Sequence, residues 1–255
     1  MAKQFRIGDV VRIDGDVHAV LGSDVTWVVV RDGDDATLID TGYPRDHDAL
    51  LASLELLKVA PESVNAILIT HAHNDHIGSA ERLRAEYGIP VLMHPAEVPH
   101  ARRDFLDQVS AGAVAANAWR PGVAAWGLRA VRNGGTAHVP ITEPQAFPAP
   151  GPLDLPGAPI PLHTPGHTAG HCAYLLPATG IVVAGDALST GHPTSRVSGP
   201  QVLPAMFQKD LPGTLASLDV IAEADADILI PGHGPVHRGS PRAAVEAARE
   251  RGAAF

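Results

Sequence analysis

The segment His71-Ala72-His73-Asn74-Asp75-His76 places four potential metal ligands within six residues. It directly follows Ala66–Thr70, a short apolar run of the kind that forms a buried strand. In a protein core, each of these polar side chains would need its own hydrogen-bond partner. Neutral imidazole and carboxylate are good ligands for zinc and related metals, and a turn directs several such side chains into one cleft. The segment therefore predicts a metal site at the end of a strand.

Three later segments place a Gly-flanked His or Asp after an apolar run. They are Gly166-His167 after Ile160–His163, Gly185-Asp186 after Ile181–Ala184, and Gly232-His233 after Asp227–Ile230. Ligands collected from several strand ends are a common way to build a site on an α/β scaffold. Glycine lets the backbone bring such ligands close together. We therefore expect His167, Asp186 and His233 to join the cluster, and His171 to make a structural hydrogen bond instead.

Strand and helix patterns alternate on both sides of the cluster. Val25–Arg31 and Ala36–Asp40 are β-rich runs joined by an Asp-Gly turn, which is a strong hairpin signal. The leucines of Asp46–Lys58 have helical spacing, and Leu211–Ala224 and Pro241–Arg251 are predicted helices in the second half. This coarse repetition predicts an α/β fold of two similar halves packed face to face, with helices outside.

Residues 95–135 depart from this alternation. Ala101–Trp119 is rich in alanine and is predicted to be mostly helical, whereas Asn133–Pro161 has the Pro and Gly content typical of loops. We interpret residues 95–135 as a mainly helical insertion that covers the site of a single domain spanning residues 1–255. Four side chains are candidates for an apolar substrate wall, although ordinary packing is the favoured interpretation: Trp119, Trp126, Met206 and Phe207.

Composition limits the classes of function. The chain has 255 residues, of which 45% are hydrophobic and 18% charged, so a sizeable core is expected. Its net charge of −9 disfavours a nucleic-acid partner. Cys172 is the only cysteine, which excludes an internal disulfide and a multi-cysteine zinc site. Met1–Arg6 has no apolar signal-peptide core, and no uncharged apolar run reaches the roughly 18 residues of a membrane span, so we expect a cytoplasmic protein.

The motifs in this order resemble those of the metallo-β-lactamase-fold hydrolases, which include the glyoxalase II-like enzymes. The resemblance rests on His71-x-His73-x-Asp75-His76 and on the three later Gly-His and Gly-Asp pairs, and it covers roughly Val17 to Gly234. It also includes Asp40-Thr41-Gly42, which matches the family's Asp-x-Gly turn after an early strand. The resemblance implies a four-layer αββα sandwich.

The same resemblance implies a role for each residue at the site. Two zinc ions are expected, with iron or manganese as alternatives. The first ion would be bound by His71, His73 and His167, and the second by Asp75, His76 and His233, with Asp186 bridging the two. Asp40 would hold a ligand histidine in its correct orientation. Asp75 would also be catalytic, because a carboxylate beside an activated water readily accepts its proton.

The implied activity is hydrolysis of a small molecule. Two cations about 3.5–4 Å apart share a water and lower its pKa. The resulting metal-bound hydroxide would attack the carbonyl of a thioester, ester, lactone or β-lactam. A mononuclear-iron sulfur dioxygenase remains open because its ligands overlap with these, and a nuclease is disfavoured by the charge. Arg196 and Lys209 are the only basic residues between Asp186 and His233, so no basic glutathione-binding cluster is evident.

Overall fold

The computed structural model describes residues 9–148 and 150–253. Met1–Arg6, on which the expected lack of a signal peptide rests, lies outside the described residues. Within the described ranges, the strands form one seven-stranded and one five-stranded sheet. The first sheet contains, in spatial order, β1 (Val10–Asp14), β2 (Val17–Leu21), β3 (Thr26–Asp32), β4 (Asp35–Ile39), β5 (Val64–Leu68), β6 (Val91–Met93) and β7 (Gln145–Ala146). The second contains β12 (His237–Arg238), β11 (Ile228–Pro231), β10 (Ile181–Gly185), β9 (Cys172–Leu176) and β8 (Ile160–His163).

Strand direction places the polar segments at neighbouring strand ends. In the first sheet β1 to β4 are antiparallel, and β4 to β7 run parallel to one another. In the second sheet β10 and β11 form the parallel pair, whereas the other neighbours are antiparallel. Since the carboxyl ends of parallel strands lie at one edge of a sheet, the segments after β10 and β11 emerge side by side.

The helices among the described residues lie mainly on the outer faces of the sheets. They are α1 (His47–Leu56), α2 (Asn74–Ile77), α3 (Ala80–Tyr87), α4 (Val98–Ala101), α5 (Ala111–Asn117), α6 (Val123–Arg132), α7 (Leu211–Ala222) and α8 (Pro241–Arg251). No helix in these ranges is both long and apolar enough to cross a membrane.

Three apolar clusters join four layers. Side chains of the first sheet, such as Val28 and Leu68, pack between the sheets against Tyr174 and Ile230 of the second. Leucines of α1 and α3 bury the outer face of the first sheet, and apolar residues of α7 and α8 bury that of the second. The prediction of an α/β fold with the four-layer αββα arrangement of the metallo-β-lactamase fold is thus confirmed.

The predicted hairpin forms, whereas the predicted helix in the insertion forms only in part. β3 and β4 pair as predicted, with Asp32 opposite Asp35 across a two-residue turn. Between β6 and β7 the chain carries α4, α5 and α6, which together account for 21 of the 41 residues from 95 to 135. The helix predicted over Ala101–Trp119 is wrong for residues 102–110, which form turns and irregular structure. There the backbone of Asp107 is bonded to two histidine side chains of the site region, a tertiary contact that replaces helical bonding.

Candidate metal centre

The loop between β5 and α2 carries the first ligands. Beyond the strand, the Thr70 amide and hydroxyl both donate to the carboxylate of Asp40, at 2.8 Å each. The carbonyl of His73 then accepts from the amides of His76 and Ile77, which begins α2. This local folding places His71 and His73 on the loop and the next ligand candidates on the first turn of the helix.

All seven side chains that the sequence predicts as ligands meet in one cluster. His167 comes from the loop after β8, Asp186 from the end of β10 and His233 from the end of β11. Potential ligand atoms lie within 4.8 Å of one another in three groups, which are His71/His73/His167, His71/His76/Asp186 and Asp75/His76/His233. The first and third groups are the two sets that the family resemblance implies.

The first set has three ring nitrogens that face one another. Nε2 of His71 and Nε2 of His167 lie 3.0 and 3.1 Å from Nδ1 of His73. Nε2 of His73 donates to the carbonyl of Asp107 at 2.6 Å, which leaves the inward Nδ1 with a lone pair. Nδ1 of His71 donates to the Thr70 hydroxyl at 3.1 Å, since that hydroxyl gives its own proton to Asp40. At least two lone pairs therefore point at one spot, as a cation requires.

In each histidine of the second set, one ring nitrogen is hydrogen-bonded outside the cluster and the other faces into it. Nδ1 of His76 donates to Asp40 at 2.7 Å, and Nδ1 of His233 donates to the carbonyl of Asp24 at 2.6 Å. Their Nε2 atoms point inward and lie 3.9 and 3.5 Å from the carboxylate of Asp75. Asp40 thus sits where the resemblance implies, holding a ligand candidate in a fixed tautomer.

Asp186 lies between the two sets. Its Oδ2 atom is 3.4 Å from Nε2 of His167 and 3.3 Å from Nε2 of His233, and its Oδ1 atom is 3.5 Å from Nε2 of His76. A Cβ at Gly232 would lie 2.3 Å from Oδ1 of Asp186, so only glycine fits before His233. One carboxylate is therefore within reach of both halves of the cluster.

The pKa values of the cluster follow from burial and from the carboxylates. Burial and neighbouring imidazoles hold the pKa of His71 well below its usual value, so the ring stays neutral. Burial also opposes charge on His76 and His233, but the adjacent aspartates outweigh it and raise their pKa values to about 10 and about 9. Despite burial, the surrounding histidines hold the pKa of Asp186 well below its usual value. A metal ion bound here would displace the protons of His76 and His233 and take their place beside the aspartates.

Unpaired buried atoms provide the test of whether a metal fits. Nε2 of His76 and Oδ1 of Asp186 are buried and have no hydrogen-bond partner among the described residues. A buried polar group without a partner costs about 1–3 kcal/mol, and native proteins rarely leave one without a reason. Imidazole and carboxylate are the donors that zinc and similar divalent ions accept. The cluster therefore fits divalent metal ions.

Glu97 contacts both loops that carry candidate ligands, and the sequence analysis did not identify it. Its Oε1 atom accepts from the Ala72 amide, at 2.8 Å, and from Nδ1 of His100. Its Oε2 atom accepts from the Thr168 hydroxyl and the Gly170 amide, at 2.8 and 2.9 Å. One buried carboxylate thus joins the two loops that carry His71, His73 and His167. No motif surrounds Glu97 in the sequence, so nothing there signals this contact.

His171 makes structural hydrogen bonds, as the sequence analysis expected. Its Nε2 atom accepts from the amide of Asp186 at 3.0 Å, and its Nδ1 atom donates to the Thr164 hydroxyl at 2.8 Å. Both ring nitrogens are therefore engaged away from the ligand groups.

Replacing His171 by alanine should leave the metal-to-protein ratio at saturating metal unchanged. The unfolding free energy should fall by about 1–3 kcal/mol, because the Asp186 amide loses its acceptor. Elemental analysis and thermal unfolding measure the two effects, with the exposed His138→Ala variant as the control. A lost metal ion would show that His171 is a ligand.

A cavity of about 420 Å³ lies over the cluster, and its lining includes Asp75. Of the four candidates for an apolar wall, Trp126 and Phe207 line this cavity. Trp119 and Met206 are not part of the lining, and Trp119 is 76% exposed. Residues of the helical segment 95–135, among them Trp126, therefore line part of a cavity that opens onto the candidate metal centre.

Comparison with known proteins agrees with this geometry. The family model of the metallo-beta-lactamase superfamily matches residues 20–233. A protein named probable metallo-hydrolase YybB of Bacillus subtilis (strain 168) is 27% identical over 216 residues, which cover 82% of this chain and 80% of that protein. Metallo-beta-lactamase domain-containing protein 1 of Xenopus laevis is 30% identical over 232 residues, which cover 89% of this chain and 76% of that protein.

Solved structures show the same fold. A metallo-beta-lactamase family protein of Thermus thermophilus is 25% identical with a TM-score of 0.62, covering 89% of this chain and 74% of that one. The Rm3 metallo-beta-lactamase is 20% identical with a TM-score of 0.66, covering 98% and 92%. The motifs, the clustered His and Asp side chains and these matches lead to one conclusion, that the chain belongs to the metallo-beta-lactamase superfamily.

Proposed function

We propose that this protein is a binuclear metallo-hydrolase that cleaves the bond between a carbonyl carbon and its leaving group in a small molecule. The supporting observation is the convergence of ligand atoms in two sets with a carboxylate between them. In this proposal His71, His73 and His167 hold one ion and Asp75, His76 and His233 hold the other, while Asp186 contacts both. Zinc fits the donors best, and iron or manganese would also be accepted.

The second set supports a binuclear centre over a mononuclear one. A single ion in the first set would leave His76, His233 and Asp75 facing one another without a cation. Nε2 of His76 is buried and has no hydrogen-bond partner within the described part of the chain. Without a cation, the free-energy cost of removing this atom from water would remain uncompensated. A sulfur dioxygenase with one iron therefore accounts for fewer of the buried groups than a hydrolase with two ions.

Asp75 is the proposed catalytic residue. Metal ions in such a centre activate water and polarise a substrate carbonyl. The Asp75 side chain is 17% exposed, lines the cavity and lies 3.5 Å from Nε2 of His233. It therefore reaches both the ligand cluster and the space for substrate, where its carboxylate orients the attacking water and accepts its proton. Thioesters, esters, lactones and β-lactams are the substrate classes that this chemistry serves.

Removal of metal is expected to abolish hydrolysis, and zinc or manganese should restore it. The experiment dialyses the protein against a chelator and screens it against thioesters, esters, lactones and β-lactams before and after metal is added. Elemental analysis should find two ions per chain in the active sample, and circular dichroism of the stripped protein controls for unfolding. Full activity in a metal-free sample, or oxygen uptake in place of hydrolysis, would overturn the proposal.

A further inference from the structure

The cavity over the metal centre has apolar walls. Helix α5 contributes Val114 and Ala115, and helix α6 contributes Ala124, Trp126 and Leu128. The Trp126 ring lies edge-on to Phe207 with their centroids 5.1 Å apart, which makes one wall aromatic. The volume of about 420 Å³ lies in the range of small-molecule sites, about 300–1,000 Å³.

Away from the metal centre, the described walls of the cavity offer no basic side chain to an anionic acyl group. Among the described residues that line the cavity there is no Lys or Arg, and its acidic members are Asp75 and Asp186 at the metal centre. The cations nearby are engaged elsewhere, since Arg129 pairs with Asp24 and Lys209 pairs with Asp107, each at 2.7 Å. A carboxylate placed among these walls would lose its hydration without gaining a counter-ion.

The apolar surface continues to the mouth of the cavity. Leu128 and Val131, which both line it, are 52% and 54% exposed. Two residues of α5 that line the cavity also remain accessible beside α6, since Val114 is half-buried and Ala115 is exposed. Exposed apolar surface that runs into a concave site is typical of a ligand-binding groove.

We propose that the substrate is an uncharged carbonyl compound whose apolar acyl group occupies the space between α5, α6 and Phe207. This inference rests on the proposed function, which places the scissile carbonyl beside Asp75 at the base of the same cavity. Each additional methylene of the acyl chain moves from water into contact with the apolar walls, so reactivity depends on the length of the acyl chain. An anionic group on the acyl chain opposes binding for the reason given above.

A series of p-nitrophenyl esters from acetate to decanoate tests the proposal on the metal-loaded protein. We expect kcat/KM to rise about fourfold per methylene until the cavity is full, which is the equivalent of about 0.8 kcal/mol per buried CH₂. An ester of the same length with a carboxylate at the end of its acyl chain should react at least about tenfold more slowly. Rates that are independent of chain length, or faster for the anionic ester, would overturn the proposal.

A pair of neighbouring alanines on α6 supplies a matched variant and control. Ala124 and Ala125 are both exposed on this helix, but of the two only Ala124 lines the cavity. Ala124→Phe should fill the cavity and reduce the decanoate-to-acetate ratio of kcat/KM at least about tenfold. Ala125→Phe should leave that ratio unchanged. The same decanoate-to-acetate ratio in both variants would show that the acyl group does not occupy this cavity.

Binding of unreactive ketones separates this proposal from the proposed function. Methyl n-alkyl ketones carry the carbonyl but no leaving group, and calorimetry with the metal-loaded protein should show affinity rising about fourfold per methylene. Chain-length-dependent ketone binding without hydrolysis of any ester would support the apolar site and reject the hydrolase. Ester hydrolysis with no chain-length effect on rate or on ketone binding would do the reverse.

Discussion

Replacement of Asp75 by alanine is expected to lower kcat/KM at least about a thousandfold and to reduce bound metal from two ions to one per chain. The carboxylate is the one oxygen donor of the second set, and its Oδ2 atom lies 3.5 Å from Nε2 of His233 and 3.9 Å from Nε2 of His76. Its loss removes a ligand and the acceptor for the proton of the attacking water. A thousandfold loss is about 4 kcal/mol of transition-state stabilisation.

An asparagine at position 75 separates the two roles of the carboxylate. Asp75→Asn keeps an oxygen donor of the same shape but lacks the basicity needed to accept a proton. We expect this variant to bind more metal than Asp75→Ala and to remain nearly inactive when loaded. Asp225→Ala, at an exposed position, is the control and should match the parent protein. Unchanged turnover in Asp75→Ala would contradict the role given to Asp75.

Replacement of Glu97 by glutamine is expected to weaken metal binding about 10–100-fold and to destabilise the fold by about 3 kcal/mol. The carboxylate accepts four hydrogen bonds, two on each oxygen, from groups on the ligand loops and from His100. An amide of the same shape has one acceptor oxygen, so donors on the other side face its NH₂ group. A Cβ at Gly170 would lie 2.3 Å from the backbone N of Glu97, so the loops have little room to adjust.

Competition with a chelator dye and thermal unfolding measure the two effects of Glu97→Gln. A loss of about 3 kcal/mol lowers Tm by roughly 6–12 °C in a chain of this size. Glu62→Gln, at an exposed position before β5, is the matched control and should change neither quantity. Saturating metal should restore most of the activity, because Glu97 touches the loops and no ligand atom. Unaltered metal affinity together with an unaltered Tm would reject the positioning role.

The pKa of Glu97 predicts how the stability of the fold depends on pH. Burial alone would raise the pKa of Glu97, but bonds from His100, Ala72 and Thr168 outweigh it and lower the pKa from 4.5 to about 2. A depressed pKa in the folded state contributes stability above the unfolded value and loses it as the pH falls towards the folded one. The parent protein should therefore lose this contribution between about pH 4.5 and pH 2, whereas Glu97→Gln lacks it throughout.

Local sequence signals predicted an element correctly where all the residues that determine it lie in one segment. The β3–β4 hairpin is specified by its Asp-Gly turn and by the β-rich runs on either side of it, and it forms as predicted. The apolar run ending at Thr70 indicates a buried strand, and the polar residues after it have no place in a core. The resemblance to a known family added Asp40 as a partner of a ligand histidine, and the structure shows that bond to His76.

Contacts between distant segments were not predictable in this way. Residues 102–110 form turns and irregular structure in which the backbone of Asp107 is bonded to His73 and His100, and no propensity in the segment itself reports those bonds. The strands β1 and β2 were also missed. Val10–Asp14 is an edge strand with mostly exposed residues, so it lacks the apolar pattern of a core strand.

The order of residues along this chain is enough to specify its α/β class and the seven side chains that gather at one place, because these side chains lie in four segments that each follow an apolar run. The role of Glu97 and the apolar character of the cavity depend on how separate loops and helices pack. The Glu97 carboxylate joins loops that are far apart in the chain, with Thr168 at a separation of 71 positions. Such contacts arise only when the chain is folded, because a hydrogen bond or a cavity wall depends on distance in space and not on neighbourhood in sequence.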